Sequence, residues 1–136
     1  MIIVGERINS TRKSIQEALQ AGDEETLVRE AREQWAAGAD YLDVNTATML
    51  DTEVEWMTRL VTGIQARLPE ALLAIDSPNA AALEAGLRAH RGRAMLNSIT
   101  GERERIEAVL PLVREFQPRV IALTMDDEGL QREADK

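Results

Sequence analysis

Along the chain, hydrophobic positions follow two different periods. Five short runs are mostly apolar: residues 2–4, 41–44, 72–75, 94–96 and 120–123. Runs this short, with little polar alternation, fit strands covered on both faces, as in a parallel sheet. Between them lie longer stretches in which apolar residues recur every three or four positions. Leu27, Val28, Ala31 and Trp35 share one face of a helix expected over 25–37. The same spacing joins Val54, Met57, Val61, Ile64 and Leu68 over 53–68, and Leu83 and Leu87 over 80–90. A last stretch, 103–116, carries Ile106, Val109, Leu110, Val113 and Phe116. A period near 3.6 residues marks amphipathic helices.

Punctuation supports these boundaries. Thr52 with Glu55 three residues later has the form of a capping box. Ser77 before Pro78 reads as a cap followed by proline at the first helical position. Pro69 and Pro118 stand where helices should stop, and Gly38 and Gly92 lie between a helix and the next strand. Pro111 is the misfit: inside a helical pattern it should kink or split the helix. The order β-α-β-α-β-α-β-α-β, with short connections, predicts an α/β fold with a parallel sheet in one domain, 1–136, ending in a polar tail from Asp126.

Composition narrows the function classes. A chain of 136 residues with 44 % apolar and 29 % charged residues can bury a core and is not of the disordered type. The net charge is −8 and no basic stripe is present, which argues against a nucleic-acid binder. Without cysteine, the chain has no disulfide, no thiolate nucleophile and no iron–sulfur ligation of its own. No apolar stretch approaches the roughly 20 residues of a membrane span. The apolar start is too short for a signal peptide, so a cytoplasmic protein without membrane association is expected. There is no glycine-rich phosphate loop, which disfavours a dinucleotide cofactor.

The candidate chemistry lies at the carboxyl ends of the apolar runs. The first is followed by Glu6-Arg7-Ile8-Asn9; the second holds Asp43 and Asn45; the third ends in Asp76-Ser77, the fourth in Asn97-Ser98 and the fifth in Thr124-Met125-Asp126. Ligands of parallel α/β sheets bind at these ends. Ser77, Ser98 and Asp126 fit just as well as helix caps and loop starters. Asp43, Asn45, Asp76 and Asn97 sit directly against apolar strand residues, where an unpaired polar group costs roughly a few kcal/mol. They must satisfy one another, or be satisfied by water or by a ligand.

Other polar and aromatic residues carry less. His90, the single histidine, lies at a helix end where a cation suits the dipole. Trp35 and Trp56 fall on helix faces and belong with packing. Asp126-Asp127-Glu128 reads as a solvated loop, and no metal site is expected. Arg12 and Lys13 are surface charges or contacts for an anionic ligand tail.

Five segments together carry a family resemblance: Ile3-Val4-Gly5-Glu6-Arg7-Ile8-Asn9, Leu42-Asp43-Val44-Asn45, Ile75-Asp76-Ser77 with Asn79, Met95-Leu96-Asn97-Ser98, and Leu123-Thr124-Met125. They resemble, in order, the pterin-binding methyltransferases that work with corrinoid proteins. That family includes methyltetrahydrofolate:corrinoid/iron–sulfur protein methyltransferase and the folate domain of cobalamin-dependent methionine synthase, with dihydropteroate synthase a more distant relative. The resemblance implies the N-terminal portion of a TIM barrel, five of its eight strands. It implies that Asp76 and Asn97 hydrogen-bond a pterin ring, with Asp43 and Asn45 as neighbours or supports and Asn9 and Arg7 lining the same mouth.

The implied activity moves a methyl group between N5 of tetrahydrofolate and the cobalt of a corrinoid carried by a partner protein. In the family a third pterin-binding aspartate, and the asparagine that hydrogen-bonds N5, lie beyond the position of Lys136. The catalytic residue is therefore not identified, and activity of the 136-residue chain alone stays open. A non-catalytic pterin-binding or assembly module and a dihydropteroate synthase-like enzyme are the alternatives. A barrel of this type takes about 250 residues. The expectations are a longer polypeptide, a homodimer that completes a barrel-like assembly, or an open doubly wound five-stranded sheet.

Overall fold

The apolar runs become five parallel strands: β1 (Val4–Asn9), β2 (Tyr41–Asn45), β3 (Leu73–Asp76), β4 (Met95–Ile99) and β5 (Arg119–Ala122). The computed structural model describes residues 1–130; the last six residues of the expected polar tail lie outside the described residues. The helices are α1 (Lys13–Ala21), α2 (Glu24–Ala36), α3 (Glu53–Arg67), α4 (Ala80–Ala89) and α5 (Arg103–Phe116). A six-residue 3₁₀ segment, Ala47–Thr52, leads into α3, and a small antiparallel hairpin, β6 (Met125–Asp126) with β7 (Gly129–Leu130), follows β5.

The strands lie in the order β1-β2-β3-β4-β5. Each successive βα unit adds on the same side, which is barrel-type winding. A doubly wound sheet needs a reversal of strand order, so that alternative does not hold. The sheet is not closed: β1 and β5 are its outer strands, and Val120 and Leu123 stay 36 % and 44 % exposed.

Alternation along each strand divides the core between the two faces. Leu42, Val44, Leu73, Ile75 and Leu96 point toward the helices and are fully buried there with Met57, Ile64 and Leu83. Tyr41, Ala74 and Met95 point the other way and cluster with Val4, Leu72 and Ile121. Helix α4 reaches close packing because Gly86 has no side chain: a Cβ there would sit 2.5 Å from Ile75 Cγ2.

Several local expectations change. Strand β1 does not end at Val4; its ladder with β2 runs on through Asn9, interrupted by a register shift between Gly5 and Ile8. Helix α1 was not anticipated; it buries only Ile15, Ala18 and Leu19 and ends at Gly22 in the left-handed conformation. Thr52 precedes α3 but does not cap it, because its hydroxyl donates to Met49 O at 2.9 Å. The cap of α4 is Asn79, whose Oδ1 accepts from the Ala81 N–H at 3.0 Å. Pro111 leaves α5 continuous because it lies on the exposed side, where water can serve the carbonyl deprived of its donor.

His90 is not a helix-end cation. Its Nε2 accepts the Leu73 N–H at 3.0 Å, so the ring is neutral there, and Nδ1 lies 3.3 Å from Gly92 O. Burial holds its pKa below the usual 6.5. The unfolded chain therefore takes up a proton before the folded one does. The contribution of His90 to stability is complete above pH 6.5 and is lost as pH falls through the lower folded value. His90→Gln keeps an acceptor without titrating. Thermal unfolding between pH 5 and 8 should show the acid-side loss flattened in that variant; an unchanged profile would remove His90 from the account.

Candidate functional site

Three side chains at one height on adjacent strands define the site. Asn45, Asp76 and Asn97 are successive register partners on β2, β3 and β4, and Asp43 lies two residues before Asn45, so all four project to the face away from the helices. Asn45 Nδ2 donates to Asp76 Oδ2 at 2.9 Å. Asn97 Nδ2 donates to Asp43 Oδ2, also at 2.9 Å. The second bond joins β4 to β2 across β3. The residue it crosses is Ala74, register partner of both Asp43 and Met95, whose methyl leaves the space open.

The four groups thus satisfy one another in part, one of the outcomes open at the level of sequence. Asp43 and Asn45 are buried, while Asp76 and Asn97 are half-buried. Asp76 and Asn97 line an open groove of about 770 Å³, together with Ser77, Asn79, Ser98 and Arg105. Asp43 and Asn45 stand behind them. Burial pushes the Asp43 carboxyl up to about 7; the Asn97 hydrogen bond opposes this, and the charges of Asp76 and Glu6 add to it. Asp76 is also a hydrogen-bond partner of Asp43, which further favours the protonated form of the Asp43 carboxyl.

Asn9 is the register partner of Asn45, but its side chain serves its own turn: Oδ1 accepts from the N–H and hydroxyl of Thr11 at 2.9 and 2.8 Å. Arg7 does not line the mouth. The register shift in β1 turns it outward, where its guanidinium pairs with Glu30 at 2.8 Å and Glu33 at 3.4 Å. Lys13 pairs with Glu17, and Arg12 donates to Arg7 O and faces Glu30. Asp127 accepts from the first N–H of α5, and Trp56 packs into the core beneath Arg59.

Three contributors were not visible in the sequence. Ser10 is fully buried; its hydroxyl donates to Asn45 Oδ1 at 3.2 Å and accepts from the Thr48 N–H at 3.1 Å. This fixes the amide orientation in which Asn45 offers its NH₂ to Asp76. Glu53, at the start of α3, is buried and accepts from the Ser77 hydroxyl and from Asn79 Nδ2, tying down the turn after Asp76. Arg105 donates to three backbone carbonyls at the ends of β3 and β4. In the sequence Glu53 looks like an ordinary first-turn acid and Arg105 like part of the charged run Glu102-Arg103-Glu104-Arg105. Only the burial that Glu53 acquires on folding, and the carbonyls that Arg105 meets, set them apart.

As a recognition surface, the rim offers a carboxylate beside a carboxamide. A carboxylate accepts two donors, and a carboxamide both gives and takes. A flat heterocycle with an amino group and ring N–H donors beside acceptors matches that pair. Among the described residues, no group of three or more His, Asp or Glu side chains is placed to hold a metal ion, and no helix is long and apolar enough to cross a membrane.

Comparison with known proteins finds relatives along the whole chain. The chain is 30 % identical over 138 residues to methylcorrinoid:tetrahydrofolate methyltransferase of Eubacterium limosum, covering all of this chain and 51 % of that protein. It is 32 % identical over 144 residues to methionine synthase of Mycobacterium tuberculosis, and 30 % over 142 residues to that of Mycobacterium leprae. All of this chain matches in each case, against 12 % of the methionine synthases. The chain therefore spans about half the length of the first relative and a small part of the other two. The family model for pterin binding enzymes matches residues 5–136, and the chain belongs to that family.

Proposed function

We propose that the chain forms the pterin-gripping part of a tetrahydrofolate-dependent methyltransferase, whose methyl partner is a corrinoid carried by a separate protein. The observation that supports this reading most is the convergence of Asp76 and Asn97 on one groove, each backed by a hydrogen-bonded amide or acid from β2. Asp76 would accept from the amino group and ring N–H of the pterin, and Asn97 would supply an acceptor and a donor beside it. Asp43 and Asn45 hold these two in place. The methyl group would leave N5 with the bonding electron pair staying on nitrogen, which would need a proton or a strong hydrogen bond there, since the amine is otherwise a poor leaving group; the corrinoid would serve as the methyl acceptor. The reverse direction uses the same steps in opposite order.

The expected result for these residues is binding of the folate in the groove. Calorimetric titration with 5-methyltetrahydrofolate should give a saturable isotherm. A parallel assay with reduced cobalamin as free acceptor measures whether these 136 residues also transfer the methyl group. Absence of a binding isotherm would overturn the reading. Condensation of a pterin pyrophosphate with p-aminobenzoate would replace it with dihydropteroate synthase chemistry.

A further inference from the structure

We infer that Arg105 is a positioning residue for the pterin site: it sets the separation between Asp76 and Asn97 by clamping the backbone that follows each of them. The inference rests on the proposed pterin grip. Strands β3 and β4 are in register through Asp76 and Asn97, and the last link of their ladder is the Ser77 N–H donating to Asn97 O at 3.3 Å. Beyond it the pairing fails. The β4–β5 register shifts between Asn97 and Ile99, and the chain after β3 turns through Pro78 into α4.

Arg105 is the third residue of α5, within its first turn, and covers this gap. Its Nε and Nη2 donate to Ser98 O at 3.0 and 2.8 Å, Nη2 also to Ser77 O at 2.9 Å, and Nη1 to Pro78 O at 2.8 Å. One planar group thus joins the residue after Asp76 to the residue after Asn97, where the strands can no longer do so.

The choice of partners is unusual for an arginine in an acid-rich chain. All four hydrogen bonds go to carbonyl oxygens rather than to a carboxylate. A rigid fork of donors fits several fixed acceptors at once, which a lysine ammonium on a flexible stem does not. The guanidinium also lines the groove, where burial lowers its pKa and the charges of Asp76 and Glu102 offset part of that cost. Loss of the fork should let the turns after Asp76 and Asn97 move apart while the apolar core between the sheet and the helices stays packed.

The test uses Arg105→Lys, which keeps the charge and loses the fork, and titration of the full chain with 5-methyltetrahydrofolate. The dissociation constant should rise about tenfold, with unchanged circular dichroism and a cooperative thermal transition. In an Asp76→Ala background the same change should cost threefold or less, because Arg105 acts largely through Asp76; a merely structural role would give losses that multiply. A tenfold loss in both backgrounds, or no loss in either, overturns the inference. If Arg105→Lys does not fold, Arg105→Gln is read by the same criteria; failure of both variants to fold assigns Arg105 to stability and also overturns it. If the unmodified chain binds no folate, the pterin reading itself has failed and the inference falls with it. If the unmodified chain binds and Asp76→Ala weakens binding while Arg105→Lys does not, only the clamp is lost.

Discussion

Asp43→Asn should stabilise the protein increasingly as pH rises from 5 to about 7 and by a constant amount above that. The Asp43 side chain is 1 % exposed, and its carboxyl titrates near 7, against 3.8 for an ordinary aspartate. Burial is the main cause, with the negative charges of Asp76 and Glu6 behind it; the Asn97 hydrogen bond recovers only part of the difference. The sign follows from proton counting. Between the two values the folded protein holds a proton that the unfolded chain has released, so wild-type stability declines as pH rises through this interval. Above about 7 both states are ionised and the decline stops.

Asparagine has no proton to lose. Its oxygen can still accept from Asn97, and its NH₂ can donate to Asp76 in place of the Asp43 carboxyl proton. The stability gap between variant and wild type should therefore widen by about 2–3 kcal/mol between pH 5 and pH 8. Denaturant unfolding of both proteins at pH 5, 6, 7 and 8 measures it. A gap of constant size would mean that Asp43 does not titrate in this range.

The legible parts of the fold are those in which one side chain's character decides its surroundings. The expected helix 103–116 has those bounds in the structure, and the helices of α2, α3 and α4 are shifted or shortened by a single residue at an end. Their apolar faces are wide and the intervening positions strongly polar. Helix α1 escaped because its buried face is only Ile15, Ala18 and Leu19, too thin a stripe to stand out beside a charged loop. Strand β1 was misplaced for a different reason. Glu6, Arg7 and Asn9 are polar, yet the backbone ladder to β2, indifferent to side chains, resumes after the shift at Glu6 and Arg7 and carries the strand to Asn9.

The same distinction governs the site. Acids and amides set against apolar strand residues are conspicuous, because burial without a partner is costly, and that marked Asp43, Asn45, Asp76 and Asn97. Who partners whom is not written in the strand motifs. The Asn97–Asp43 bond skips a whole strand, and it exists because position 74 is alanine. The supporting residues are less visible still. Ser10, Glu53 and Arg105 act on side chains, turns and carbonyls whose positions are created by the fold, so their residue types alone carry no signal. Arg7 shows the converse: a cation beside the mouth in sequence, turned to the helix side by one register shift.

Asp76→Ala should weaken pterin binding by roughly 1.5–3 kcal/mol, the loss expected for hydrogen bonds to a charged group, or about ten- to a hundredfold in the dissociation constant for 5-methyltetrahydrofolate. Asp76 is placed for this effect by position more than by charge alone. It is the last residue of the central strand β3, it is half-buried at the groove, and it receives Asn45 on one side while Asn97 stands beside it on the other. Its loss also removes a neighbour whose charge keeps Asp43 protonated, so the Asp43 carboxyl should titrate lower in the variant. A second variant separates charge from shape. Asp76→Asn preserves the side-chain outline and an acceptor for Asn45, but replaces the anion that grips two donors. If the carboxylate is what holds the heterocycle, Asp76→Asn should lose nearly as much affinity as Asp76→Ala while unfolding like the wild type. Calorimetry on both, with circular dichroism to confirm folding, decides this: wild-type affinity in Asp76→Ala would leave the groove without its principal contact and move the pterin elsewhere on the molecule.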